Sequence, residues 1–331
     1  MELKHIPYLD GWRGVAILLV LIGHFFDLPG SRLGVEVFFV LSGMLMSRVL
    51  FDQKLSLKTF YRRRFARILP VYYIYLATMA ILASTLMPPV AWKHFALSAV
   101  FLTSYMPSDV VRSSLPLTHL WSLNVEEHSY VFLSLVALIF KDLRAVRFIL
   151  TIAAGACVAF YAIYYYFPVD QSNGVFRTEC AALPLIASAA LHLWLKKIKS
   201  TTGIVLFYVS ILGLFASVVW SRQLGGSIGI DYIAKPLFVA VMLNTLALAP
   251  RILHTGLQAS WLRWLGVCSY SLYIWHPVVL ELSMTVSPSR WIALSVALIA
   301  GAASFFIIED PLRKLIRNRG LWSQPAPATL T

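Results

Sequence analysis

The feature that most constrains this chain is a succession of long apolar runs, each near the ~20 residues that carry a helix across a bilayer. They fall at about 12–29, 34–51, 68–87, 120–140, 148–167, 176–195, 203–220, 232–249, 265–283 and 290–308. In hydrocarbon every backbone N–H and C=O must find its partner inside the protein, so runs of this kind fold as helices. The expected fold is all-α integral membrane, with about ten transmembrane helices in one bundle. Of the 331 residues 59% are hydrophobic and only 13% charged, about half the charge a soluble domain carries. The stretch 90–106 (VAWKHFALSAVFLTSYM) is shorter and amphipathic, and reads as interfacial or re-entrant rather than as an eleventh span.

Charge then orients the bundle. The net charge is +13, but the basic residues lie between apolar runs and form no stripe beside aromatics, which argues against nucleic acid. With ten spans and a cytoplasmic N-terminus, most of the 28 Lys and Arg residues fall inside, leaving Arg32, Lys93, Arg112, Arg177, Arg222, Lys235 and Arg290 on the other face. That asymmetry is the positive-inside pattern, and it places both termini in the cytoplasm of an inner (plasma) membrane protein. The longest inside loop, 53–67, mixes Leu55, Leu57, Phe60 and Phe65 among its bases, which suits the membrane surface. The first run lacks a small-residue cleavage site and is expected to remain as a span. No internal repeat is evident. Residues 1–320 read as one membrane domain and 321–331 (LWSQPAPATLT) as a disordered tail. Cys157, Cys180 and Cys268 sit in or beside apolar runs without ligand spacing, so they read as packing residues and no metal site is expected.

Ionisable side chains inside spans cost about 2.5–3.5 kcal/mol on insertion scales, so they face the interior and mark function. Arg13 and His24 lie eleven residues apart in the first run, on one face and about 16 Å along the axis. His24 is then expected in the outer half of the membrane. Glu36 begins the second run after a short turn, near the depth of His24, where it can orient the imidazole or pair with Arg32 at i−4. Ser42 and Gly43 lie mid-span, where small residues allow close helix approach. In LWSLNVEEHSY (120–130), Glu126 is expected to face inward, with Glu127 and His128 nearer a cavity wall. In RRRFAR (62–67), Arg64 and Arg67 share a helical face and, with Arg63, suit an anionic cofactor; the bland alternative is stop-transfer charge. An extended pantetheine arm is on the order of the Arg13–His24 separation, so acyl-CoA fits: its phosphates at the inner surface, its thioester near a base in the outer half. A transporter is the rival reading, but it predicts repeats and paired broken helices that the sequence does not display.

The segments YLDGWRGVAILLVLIGHFF (8–26), GVEVFFVLSG (34–43), YRRRFARILPVYY (61–73), LWSLNVEEHSY (120–130), YSLYIWHP (270–277) and EDPLRK (309–314) resemble, in order and spacing, the acyltransferase family 3 of bacterial integral-membrane O-acyltransferases. The resemblance covers 8–314. It implies transfer of an acyl group, chiefly acetyl from acetyl-CoA, to a hydroxyl of a surface or exported glycan or glycolipid such as lipopolysaccharide, exopolysaccharide or peptidoglycan. The family's Arg-x10-His pair maps onto Arg13 and His24, its Arg-x-x-Arg pair onto Arg64 and Arg67, its FFxxSG motif onto Phe38, Phe39, Ser42 and Gly43, and its acidic position onto Glu126. Glu36 stands where the family commonly has Asp. Many members carry a fused extracellular domain, and this chain reads as a stand-alone member. The expected mechanism has His24 as general base, oriented by Glu36 or Glu126, with Arg13 steadying charge and Arg63, Arg64, Arg67 and Ser42 at the cofactor. Membrane lipids are the other partners, and a homo-oligomer is left open.

Overall fold

The computed structural model describes residues 6–28, 30–85, 92–106, 117–167, 174–224, 229–286 and 289–318. The tail 321–331, Arg112 and the loop at 225–228 lie outside the described residues. The helices are α1 (Pro7–Phe26), α2 (Ser31–Ser47), α3 (Leu57–Thr85), α4 (Trp92–Ala99), α5 (Trp121–Ile139), α6 (Leu143–Tyr166), α7 (Thr178–Ala181), α8 (Leu183–Leu195), α9 (Ser200–Leu224), α10 (Lys235–Asn244), α11 (Arg251–Leu257), α12 (Ser260–Val267), α13 (Ser269–Val286), α14 (Arg290–Ser304) and α15 (Asp310–Asn318). Wider π turns lengthen α2 at Arg48–Asp52, open α10 at Gly229–Ala234 and join α14 to α15 at Phe305–Glu309. The described residues contain no strand.

Among the described residues seven helical stretches are long and apolar enough to cross a membrane: 7–26, 31–52, 57–84, 143–166, 178–195, 200–221 and 290–316. The other three apolar runs also fold as helix, but each is shortened or polar. Helix α5 carries Asn124, Glu126, Glu127 and His128. Helix α10 is ten residues long and gives way to a 3-10 turn at Leu246–Leu248. The 265–283 run is interrupted at Cys268, between α12 and α13. Hydropathy finds apolar length, while tertiary packing decides where a helix bends or stops. Within the 90–106 stretch, residues 92–106 hold a short helix and a 3-10 turn tied to α3 by the Tyr72 hydroxyl on the Ser98 carbonyl, 2.7 Å, and the Tyr73 hydroxyl on that of Ala99, 3.0 Å.

Helices α1, α2 and α8 form the centre. Ile17, Val20 and Leu21 of α1 are wholly buried, whereas α6, α9 and α14 turn Phe148, Leu212, Phe215 and Ile299 outward. Such a periphery suits lipid, with polar groups gathered inside. Two of the close helix approaches rest on glycines. A Cβ on Gly43 would lie 2.0 Å from the Leu185 carbonyl oxygen of α8, and one on Gly266 would lie 1.8 Å from that of Asp10 in α1. Both are therefore needed for backbone contact. The ends are fastened by ions: Asp52 accepts from His192 and Lys196, each at 2.9 Å, and Arg290 meets Asp27 at 2.5 Å.

One expectation is corrected here. The stretch 53–67 is not a surface loop: from Leu57 it is already α3, so that helix begins about three turns before the apolar run. The arginines there can be helical because some of them turn inward to carboxylates.

Candidate functional site

Two cavities lie along α1. The first, about 90 Å³, is lined by Arg13, Arg64, Arg67, Ser42 and Glu126 together with aromatic side chains from α2 and α13. The second, about 340 Å³, is lined by His24, Arg32, His119, Trp121, Phe176 and Tyr232, with hydroxyls of Ser31, Thr103, Ser104 and Thr118. Val35 and Tyr273 belong to both. The two ends of the Arg-x10-His segment thus face separate, adjoining chambers.

In the arginine cavity the side chains are unequally committed. Arg64 is 14% exposed and holds Glu126 at 3.2 Å and Glu127 at 3.0 Å, its guanidinium 3.5 Å from the centre of the Tyr130 ring. Ser42 and Tyr130 both donate short hydrogen bonds to the same Glu126 oxygen. Of the three arginines that line this cavity, Arg64 is thus the most closely paired. Arg67 is 30% exposed and its carboxylate partner Glu309 stands 4.0 Å away, while Arg13 is 25% exposed with Asp10 at 3.7 Å. Arg13 and Arg67 therefore present the more available positive charge. Arg63 is exposed and does not line this cavity. His128 lines neither cavity and stands 2.7 Å from the Thr178 hydroxyl.

The histidine cavity holds a proton-ordering chain built by one proline. Pro277 inside α13 has no N–H, so the Tyr273 carbonyl four residues earlier loses its helical donor. His276 Nδ1 takes that carbonyl at 2.7 Å, and its Nε2 stands 3.0 Å from His24 Nδ1. A carbonyl only accepts, so His276 Nδ1 donates; its Nε2, in the neutral ring, then accepts from His24 Nδ1–H. The His24 Nε2 lone pair is left unprotonated, on a ring that is exposed to the cavity. His119 packs against His276, ring centroids 5.8 Å apart.

The structure therefore brings His24 and the arginines to one path but changes the partner of the imidazole. The expected orienting carboxylates are elsewhere: Glu36 is buried on Arg32 Nε at 3.0 Å, and Glu126 is on Arg64, Ser42 and Tyr130. Arg32 is itself clamped by the Tyr161 hydroxyl at 3.3 Å and stacked over Tyr232 at 3.8 Å. The Arg32–Glu36 alternative offered by the i−4 spacing is the pair that forms. Arg13 lines the arginine cavity and not the one that holds His24. Sequence reasoning also passed over His276 and Glu309. The His-Pro step and the acidic residue at the end of an apolar run were their signals, and Glu309, 1% exposed, accepts from Ser271 at 2.7 Å. Among the described residues no group of three or more His, Cys, Asp or Glu side chains is placed to hold a metal ion.

The described residues thus form a helical bundle that encloses buried ion pairs and a histidine open to a cavity, and comparison with known families supplies the class. The family described as "Acyltransferase domain" matches residues 6–308, and the chain belongs to it. Relatives include the peptidoglycan O-acetyltransferase OatA of Listeria monocytogenes, 28% identical over 94% of this chain and 56% of its own length. A putative O-acetyltransferase of Staphylococcus aureus is 28% identical over 95% of this chain and 58% of its own, and the putative peptidoglycan O-acetyltransferase YrhL of Bacillus subtilis 28% over 94% and 55%. The chain thus spans little more than half the length of these relatives. No solved structure matches it.

Proposed function

We propose that the chain is a multi-pass O-acetyltransferase that takes an acyl group from acyl-CoA on the cytoplasmic side of the plasma membrane and esterifies a hydroxyl of an exported glycan. The observation that carries this reading is the His24–His276–Tyr273 chain, which leaves a basic nitrogen facing a cavity rich in hydroxyl and aromatic side chains. The arginine cavity, with Arg13 and Arg67 available, suits the anionic end of the donor. The names of the relatives favour a cell-wall glycan as acceptor over lipopolysaccharide or exopolysaccharide.

In this reading the acceptor hydroxyl gives its proton to His24 Nε2 as its oxygen attacks the thioester carbonyl carbon. The C–O bond forms, the C–S bond breaks, and the proton passes from His24 to the departing thiolate. His276 holds the imidazole throughout, in the part an aspartate plays in a hydrolase triad. Orientation comes from a buried carbonyl and costs no buried charge.

The test uses membranes carrying the protein, labelled acetyl-CoA and cell-wall glycan. His24→Ala is expected to lose ester formation by at least the ~10²–10⁴-fold typical of general-base loss while binding acetyl-CoA. Near wild-type transfer by His24→Ala sinks the base, and the absence of transfer from any acyl-CoA by the wild type sinks the donor.

A further inference from the structure

The two cavities meet at a partition. Val35 and Tyr273 line both, and each is 7% exposed. Beside them Phe39, on the arginine side, meets Trp121, on the histidine side, edge to face with ring centroids 5.9 Å apart. Tyr273 is not a loose flap. Its hydroxyl donates to the His119 carbonyl at 3.0 Å and stands 2.7 Å from Ser122 Oγ, which is itself 3.2 Å from the same carbonyl. Its backbone carbonyl is held from the other side by His276. A ring fastened at its hydroxyl and at its backbone holds the boundary between the cavities in place beside Val35, since packed interiors resist local displacement.

The consequence follows from which chamber holds what. If the donor's anionic end lies with Arg13 and Arg67, its thioester must pass Val35 and Tyr273 to meet His24. The bond changes are the same for every donor: the C–S bond breaks, the ester C–O bond forms, and the hydroxyl proton ends on the thiol of CoA. The size of the acyl group then distinguishes donors at the partition, and the cavity on the arginine side, about 90 Å³ against about 340 Å³, is the smaller.

We infer that Val35 and Tyr273 select the acyl group by size, admitting a two-carbon acyl chain to His24 and holding back longer ones. This rests on the acyl-CoA reading above. Apolar walls distinguish one methylene by only about 10–200-fold, so the selection is graded and responds to changes in the wall.

The experiment gives acetyl-, butyryl- and hexanoyl-CoA, with cell-wall glycan, to membranes holding wild type, Val35→Ala, Val35→Phe or Tyr273→Phe at matched protein level. Ester formation is counted, and binding of labelled acetyl-CoA reports that each variant is folded. Wild type is expected to fall at least ~10-fold from acetyl to butyryl, and Val35→Ala to raise the butyryl-to-acetyl ratio by about as much. Tyr273→Phe, which unfastens the ring from Ser122 and the His119 carbonyl, should raise the ratio as well. Val35→Phe should depress all three transfers while acetyl-CoA still binds. An unchanged chain-length profile in Val35→Ala overturns the selector, as does a wild type that moves butyryl as fast as acetyl. A wild type that uses none of the three thioesters removes the acyl-CoA reading itself, and the inference falls with it.

Discussion

A histidine becomes a directed base only when something fixes which of its nitrogens carries the proton, and in the proposed mechanism that partner is His276. Truncating both members of such a chain should cost little more than truncating the base alone, because residues that act as a unit are non-additive. His276→Ala is expected to reduce transfer strongly, and the His24→Ala, His276→Ala double variant to match His24→Ala within about threefold. Fully additive losses in the same ester assay would separate the two rings. The arginines divide in the opposite sense. Arg64→Gln leaves Glu126 and Glu127 without their cation, which should destabilise the fold by about 3–5 kcal/mol. Arg67→Gln removes a more exposed guanidinium, so acyl-CoA affinity should fall by roughly 1.5–3 kcal/mol, at a smaller cost in stability because its pair with the buried Glu309 is longer, 4.0 Å. Thermal unfolding in detergent and acyl-CoA binding, measured on both variants, check this division. The residue types are legible: His24, Glu36 and Glu126 read as ionisable groups within apolar runs, and Arg13, Arg64 and Arg67 as charges toward the inner surface. Their pairing is not, because a buried charge takes whichever opposite charge the packing brings nearest, and that neighbour can be 63 residues away, as Glu127 is from Arg64.

At the scale of elements, irregularity is where the chemistry sits. Pro277 weakens α13 as a helix, yet the carbonyl it frees is what holds His276. Pro277→Ala restores an N–H that competes for the Tyr273 carbonyl. The variant should unfold at the same or higher temperature than wild type while transferring acetyl about tenfold more slowly, the loss of one oriented hydrogen bond being worth on the order of 1.4 kcal/mol. Equal transfer rates would show that the freed carbonyl does not matter to the base. The early start of α3 has the same origin. A run of arginines reads as a loop by hydropathy, but Arg64 is satisfied inside the bundle, and the helix continues through it.

At the scale of the whole molecule, the distribution of basic residues predicts which face is cytoplasmic. Single cysteines at Arg144 or Lys197, both exposed, should react with membrane-impermeant thiol reagents only after the inner membrane is opened. The native cysteines are buried and add little background. Labelling of both sites in intact spheroplasts would reverse the orientation and with it the side from which the donor enters. The helical class, the membrane-length segments and the family were all carried by the sequence itself, because apolar run length, charge bias and motif order are properties of neighbouring residues. One glycine approach was carried as well: FFVLSG announced the small residue that lets α2 meet α8, while Gly266 had no such signal. Only the tertiary structure decided that three of the ten runs fold short or polar, that Glu36 and Glu126 are held by arginines, and that His24 leans on His276. Those outcomes depend on residues up to 252 positions apart, brought together by packing, and no local pattern encodes which of several buried polar groups will face which.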